Sequence, residues 1–537
     1  MVVLVCLACG IVLAGTAHAQ DDPAALDAEV ERLYQTGNYA DAKEIANRSL
    51  AIREKALGPD HPDVAFSINN LAEVYAAQAH YAEAEHLHKR SLAIRETALG
   101  PGHPHVATSL NNLALLYRAI ERYSEAEPLF KRSISILETA LGPDHPNVGQ
   151  LLNNLAYVYG TQGRYTEAEP LFKRSLAIRE KALGPDHPNV GESLNNLALL
   201  YQAQGRYAEA EPLFKRALAI HERALGPGHP NVAGSVNTLA ELYLIQGRYT
   251  EAEPLYKRGV AILENSLGSE HSNVGAALNS LALLYQAQGR FSEAERLYKR
   301  SLAIREKALG PDHPEVSTSL NSIAELYRDQ GRYVEAEPLY MRSLSNFEKA
   351  LGPEHLFVAT TLNNLALLYQ AQGRFSEAER LYKRSLAINE TVRGPEHPEV
   401  ATSLNNLATL YQAQARYAEV GLLIKRSLAI LEKALGPDHP KVGLSLSNLA
   451  FVYGNQGRYT EAEPLHKRSL AIREKALGPD HPNVGESLNH LALLYQAQGR
   501  YAEAEPLLMR SLAIREKTLG PDHPDVGQSL NNLAGHY

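Results

Sequence analysis

Twelve histidines stand at one interval, at His61, His103, His145, His187, His229, His271, His313, His355, His397, His439, His481 and His523. Imidazole ligates metals and moves protons near neutral pH, so such a ladder raises metal binding and acid–base catalysis first. A metal site needs three or four ligands within about 2.0–2.2 Å of one ion. Packed helices hold successive copies about 8–10 Å apart, so no metal site is expected. A catalytic residue is singular, whereas nearly every polar residue here is one of about twelve copies, as on the surface of a repeat array. The chain has no Gly-rich phosphate loop, no H-E-x-x-H, no G-x-S-x-G and no unique His-Asp-Ser set. Neither catalysis nor a cofactor is expected. Cys6 and Cys9 are the only cysteines, which excludes disulfides, thiolate nucleophiles and cysteine-ligated zinc from everything after them. In the LGPDHP segment the histidine stands before proline, outside the helix, and is read as a helix-capping and loop-packing element.

The element that carries this histidine is a unit repeated every 42 residues. Aromatic residues mark its second half at the same interval, from Tyr39 and Tyr81 through Tyr165, Phe291 and Phe375 to Tyr501. Residues 173–213 and 467–507 differ only at Asn196 against His490. In one unit, Val190, Leu194, Leu197, Leu200 and Tyr201 follow helical spacing. Pro188 suits the first helical position, and Gln204-Gly205 suits a left-handed stop. A second stripe at Tyr207, Ala210, Leu213, Phe214, Leu218 and Leu225 predicts another helix ending at Gly226-Pro227. Pro212 falls in its first turns, where a missing N–H costs least, and Arg296 or Arg380 replaces it elsewhere. No period-2 alternation supports strands. The class is therefore all-α, a chain of helical hairpins.

With 537 residues, 45% of them hydrophobic and 21% charged, the chain is not disordered. A net charge of −8 provides no field that draws nucleic acid or anionic lipid. Residues 1–19 are apolar, carry no charge and end in Ala17-His18-Ala19, the pattern of a secretory signal peptide. The expectation is export to the periplasm or the exterior. No later apolar run is long enough to span a membrane once this segment is removed.

Ala198 and Ala210, small where two helices meet, together with Leu197, Tyr201, Tyr207 and Phe214, resemble the tetratricopeptide repeat, lengthened from its usual 34 residues. Leu-Asn-Asn-Leu-Ala at 194–198, Tyr-x-Glu-Ala-Glu-Pro-Leu at 207–213 and the run 173–184 resemble most closely the repeats of kinesin light chains and their bacterial relatives. The resemblance covers about residue 25 to 537. It implies a right-handed superhelical solenoid whose concave surface, lined by first helices, binds extended peptide segments of partner proteins. It brings no motor function, since the heptads that join light to heavy chains have no counterpart here.

In that fold the first Asn of the LNN triplet faces the concave surface, at Asn69, Asn111, Asn153, Asn195, Asn237, Asn279, Asn321, Asn363, Asn405, Asn489 and Asn531. An amide offers a donor and an acceptor to a peptide backbone. The position four residues on is usually apolar, at Leu115, Leu199, Leu283, Leu367 and Leu493, and becomes Glu73, Glu241 or Glu325, or Tyr157 and Phe451, in other copies. Asn also bonds between neighbouring helices, and the two roles are compatible. Lys173-Arg174 and Lys383-Arg384 are read as ion-pair partners of Glu167, Glu169, Glu377 and Glu379 on their own helices.

The expected organisation is a signal peptide at 1–19, a degenerate capping repeat at 20–60 with Leu33 and Ala46 in place of aromatics, tandem repeats at 61–524 and a truncated final helix at 525–537. The function expected is a non-enzymatic scaffold for proteins or peptides. The alternatives are a self-associating structural solenoid, and a sensor array belonging to a longer protein with a further effector domain.

Overall fold

A computed structural model describes residues 22–521 and 523–535; the signal-peptide segment 1–19 lies outside the described residues. These residues form twenty-five α-helices, from Pro23–Gln35 to Pro524–Ala534, with no strand among them. They divide into two compact units, 22–109 and 110–535. No described helix is long and apolar enough to cross a membrane.

The predicted hairpin is observed. Pro188–Ala203 is followed by the turn at Gln204-Gly205-Arg206 and then by Tyr207–Leu225. Gly205 holds φ +70°, the left-handed conformation that a Cβ disfavours. The histidine is the cap expected: His187, extended at φ −73° and ψ 140°, accepts the Asn189 N–H on Nδ1 at 3.1 Å. The same bond recurs from His61 to His523 at 3.0–3.2 Å. Pro212 sits inside the second helix without breaking it.

In the first unit Val30, Leu33, Ala42, Ala46, Val64 and Ile68 form one core, so the degenerate N-terminal copy still packs as a helical pair. Small side chains there take the place of the aromatics buried in later copies. Buried Ser49 donates to Asp27 at 2.8 Å and Arg53 pairs with the same carboxylate at 2.5 Å.

The second unit buries the predicted positions. Val190, Leu194, Ala198, Ala210 and Phe214 are each 0% exposed. Ladders of polar bonds hold each copy to the next. Within a hairpin, Ser175 Oγ donates to the Gly149 carbonyl at 2.6 Å, as Ser91 and Ser385 do to Ala65 and Ala359 in other copies. Buried Arg179 donates to Ser193 Oγ and to the Asn189 carbonyl, both at 2.8 Å. Tyr201 donates to Glu169 at 3.1 Å, while Arg206 stacks on the Tyr201 ring at 3.8 Å and donates to Glu169 at 2.9 Å. The Lys-Arg pairs divide their work. Lys173 meets Glu169 on its own helix at 2.6 Å, as expected, whereas Arg174 reaches back to Glu138 of the preceding copy at 2.7 Å.

This unit also winds back onto itself. His397 Nε2 lies 3.1 Å from the Thr161 carbonyl, His439 Nε2 3.3 Å from that of Ala203, and His481 Nε2 3.0 Å from that of Ile245, always 236 residues apart. A carbonyl only accepts, so Nε2 carries the proton and Nδ1 is left bare for the cap. At the preceding rung the Leu356 N–H donates to Glu121 Oε2 at 3.3 Å, and Arg393 adds a bond to the Thr161 carbonyl at 3.1 Å. The left-handed glycines make room: a Cβ on Gly163, Gly205 or Gly247 would come within 3.1 Å of a proline ring, and one on Gly289 within 2.8 Å of His523.

Two predictions follow from this packing. Leu in place of Ala198 overfills a closed helix contact and lowers stability by about 1–3 kcal/mol, read as a fall in thermal midpoint. The second concerns pH. Burial pushes His355, His397 and His439 from 6.5 down to about 4, assisted by Arg393 at the first two and Lys441 at the third. A value depressed in the closed turn means that protonation favours opening. The histidines' contribution to closure is therefore fully present above 6.5 and is lost as pH falls toward about 4. Glu121, raised by burial to about 7, acts in the opposite sense, one group against three. Small-angle scattering is expected to show an expanded particle at acid pH, and an unchanged radius of gyration would refute the prediction.

Candidate functional site

The buried stripe of each first helix fixes what its other face displays. Along Pro188–Ala203, burial of Val190, Ser193, Leu194, Leu197 and Tyr201 leaves Glu192, Asn195, Leu199 and Gln202 open, spaced three and four residues apart. The amide and apolar rows expected from sequence therefore share one face. Asn111, Asn195, Asn237, Asn279, Asn321 and Asn363 are half-buried, Asn69, Asn153, Asn405 and Asn489 are buried, and Asn531 is exposed.

Much of the acceptor capacity of this row is used between copies. The second amide of the next LNN triplet supplies the donor: Asn154 to Asn111 at 3.0 Å, Asn196 to Asn153 at 3.2 Å, Asn406 to Asn363 at 2.8 Å and Asn532 to Asn489 at 2.8 Å. Thr238 does the same for Asn195 at 2.7 Å, and Asn69 meets buried His88 at 3.1 Å. Asn321 and Asn405 instead donate, to Thr361 at 2.8 Å and Ser445 at 2.7 Å. The oxygens of Asn237, Asn279, Asn321 and Asn405 are buried without a partner. The Asn237 oxygen occupies the space where a Cβ on Gly259 would lie, 2.4 Å away. Inter-repeat bonding is thus a real role of the row. The second Asn of the triplet, which sequence reasoning did not single out, is its partner, and the doubled LNN was the signal for it. The Nδ2 groups of Asn153, Asn195 and Asn363 have no partner among the described residues.

The apolar row is open. Leu283 and Leu493 are exposed, Leu115, Leu199 and Leu367 half-buried, and the aromatic variants Tyr157 and Phe451 exposed. Arg118 lies over the Tyr157 ring at 4.9 Å, reaching from the neighbouring copy. The acidic variants behave unusually for surface groups. Burial raises the carboxyl of Glu73 to about 7 and raises those of Glu241 and Glu325 as well, although solvent still reaches them. A carboxylate that is accessible yet desolvated sits between protein walls. Glu325 has Arg328 at 3.4 Å, and Glu73 has His88 at 3.8 Å. Among the described residues no three His, Cys, Asp or Glu side chains converge as a metal ligand set.

The fold defines a helical-repeat protein. The tetratricopeptide repeat family matches residues 33–420 and 442–537 in overlapping segments, from 33–97 to 486–537, and a second tetratricopeptide repeat family matches 400–441. The chain belongs to the tetratricopeptide repeat family. Among solved structures it is similar to nearly identical TPR-like repeats from Podosopora anserina, described as kinesin light chain, at 34% identity over 38% of this chain and 98% of that one, with a TM-score of 0.32. A point variant of those repeats matches at 33% identity over 38% and 97%, with a TM-score of 0.33. BtubC (BKLC) from P. vanneervenii matches at 23% identity over 44% and 92%, with a TM-score of 0.34. No curated protein sequence matches the chain.

Asn195→Ala removes the bond between copies and leaves the Thr238 hydroxyl only the Ser235 carbonyl at 3.0 Å, and is expected to cost about 1 kcal/mol in a chemical melt. Asn195→Asp keeps the acceptor and is expected to melt as the parent does.

Proposed function

We propose that this protein is a non-enzymatic scaffold that holds extended peptide segments of partner proteins against the open face of its first helices. Tetratricopeptide arrays are in general protein-interaction folds. Binding on this face is supported by the row of exposed apolar side chains at a single helical register. Tyr157, Leu283, Phe451 and Leu493 are 41%, 45%, 41% and 37% exposed, four residues after Asn153, Asn279, Ser447 and Asn489 respectively. Apolar groups left in water in such a row favour a covering ligand.

The amides supply direction. Where their oxygens are spent between copies, the Nδ2 groups of Asn153, Asn195 and Asn363, which bond no described residue, are donors for peptide carbonyls. Such pairing reads backbone and not side chain, so affinity is shared along the array. Selectivity falls to copies that depart from the pattern, above all Glu241, whose desolvated carboxylate favours a cationic side chain in the ligand. Export, to the periplasm or beyond, remains part of the proposal and rests on residues 1–19.

The test is capture of partners from the host envelope by the parent chain and by the triple variant Asn153→Asp, Asn195→Asp and Asn363→Asp. Segments of captured proteins are then titrated as synthetic peptides. The variant is expected to melt like the parent and to bind these peptides at least tenfold more weakly. Equal affinity for both chains would refute the groove.

A further inference from the structure

One carboxylate of the repeat gathers three donors from two copies. Glu169 meets Lys173 Nζ at 2.6 Å on its own helix and accepts, from the next copy, the Tyr201 hydroxyl at 3.1 Å and Arg206 Nη1 at 2.9 Å. The same three bonds form in seven copies from Glu127 to Glu463, with Lys at 2.6–2.7 Å, Tyr at 2.8–3.1 Å and Arg at 2.7–3.0 Å. The donors always stand four, thirty-two and thirty-seven residues after the glutamate. They favour its charged form: Arg500 and Lys467, against burial, and then Tyr495 bring the Glu463 carboxyl from 4.5 down to about 2. At Glu337 the lysine is replaced by Met341, and Tyr369 and Arg374 still hold the carboxylate, both at 2.9 Å.

At Gly421 the carboxylate is gone and its donors remain. Lys425, Tyr453 and Arg458 stand four, thirty-two and thirty-seven residues on, carried by the helices Tyr417–Leu435 and Pro440–Asn455, which keep the usual 19 and 16 residues, and by the turn that follows them. Arg458 stacks on the Tyr453 ring at 4.1 Å and pairs with Glu461 at 2.5 Å, as Arg500 does with Tyr495 and Glu503 at 4.0 and 2.7 Å. The guanidinium is therefore in place. Its Nη1 donates to Gln456 at 3.1 Å and meets no carboxylate. Among the described residues Lys425 pairs with none and acts on Glu461 only through its field. A Cβ on Gly421 would meet nothing within 4 Å, so the room for a side chain is open. The Arg458 side chain is 44% exposed, against 30–34% where a glutamate covers its counterpart, and Tyr453 is half-buried where Tyr411 and Tyr495 are buried. Two positive charges and a hydroxyl border this space.

We propose that Lys425, Tyr453 and Arg458 bind a carboxylate that comes from outside the chain, in the position that Glu379 and Glu463 fill in the neighbouring copies. The group required is a propionate, the part of a glutamate side chain beyond Cα, presented either by a small free acid or by an acidic side chain of a partner. Bonds from a guanidinium and an ammonium are charge-assisted, so the seat favours a carboxylate over a neutral amide of the same size. Glycine inside a helix lowers its stability, and here it opens the seat. None of the side chains assigned to the open face takes part, so the site stands independently of the scaffold reading.

Propionate labelled at its carboxyl carbon, titrated against the full chain in dilute salt and followed by NMR line width, tests the site. Saturable broadening is expected with the parent, and none with labelled propionamide, which has nearly the same shape without the charge. Gly421→Glu fills the seat from within and is expected to bind propionate weaker by about tenfold or more. It is also expected to melt higher than Gly421→Gln, which adds the same length without charge. Lys425→Met places there a residue the chain already carries at Met341, and is expected to keep the fold and weaken binding. N-acetylglutamate amide, competing with labelled propionate, separates the two sources. Tighter binding than propionate assigns the seat to a partner's acidic side chain, and equal or weaker binding assigns it to a small free acid. Broadening that does not saturate, equal broadening by propionamide, or undiminished binding by Gly421→Glu overturns the proposal. If Gly421→Glu does not fold, Lys425→Met decides, and undiminished binding by that variant overturns the proposal equally.

Discussion

A helical hairpin of this length leaves one broad apolar face uncovered, and the structure depends on covering it with a near copy of itself. The surface on one side of each copy must therefore fit the surface on its other side. This constraint accounts for the alanines at 198 and 210, which let helices approach. It accounts also for the polar ladders. Arg179, Tyr201 and Arg206 each bond a neighbouring copy or stack within its turn, and a change at one rung would leave a partner in the next without its bond.

Within that frame the histidine ring has two tasks set by its two nitrogens. Nδ1 accepts from the helix it caps, which leaves the proton on Nε2 and makes that atom a donor to whatever carbonyl comes near. The cap is local and forms in every copy described. The second bond requires a turn of the solenoid to return alongside, and only some copies have it. The ladder that suggested metal chemistry is thus a ladder of caps, some of which also clasp.

On the open face one side chain combines a structural bond with the donor assigned to the proposed binding role. Asn195 gives its oxygen to Thr238 of the next copy and keeps its Nδ2 group outward. The expectation of a binding role came from residue type and register. The partition was not legible there, because it depends on how far a neighbouring helix advances, and residue 238 is Thr where Asn196, Asn406 and Asn532 stand in other copies. Arg174 shows the same gap: its carboxylate was sought one turn away on its own helix and was found on the preceding copy at Glu138.

Helix type, boundaries, caps and the buried stripe were determined by sequence alone, because each depends on interactions within a few residues. Pro188 and His187 open a helix and Gly205 ends it whatever lies further off. The class of repeat followed from the same local pattern, written many times. What only the tertiary structure decided is which of several near-identical segments meet. The loops at His187 and His439 read almost alike, but one ring is half-exposed and the other is buried against the Ala203 carbonyl. That difference arises from the small angle each copy adds to the last, summed until residues 236 apart lie side by side, and no local pattern carries the sum.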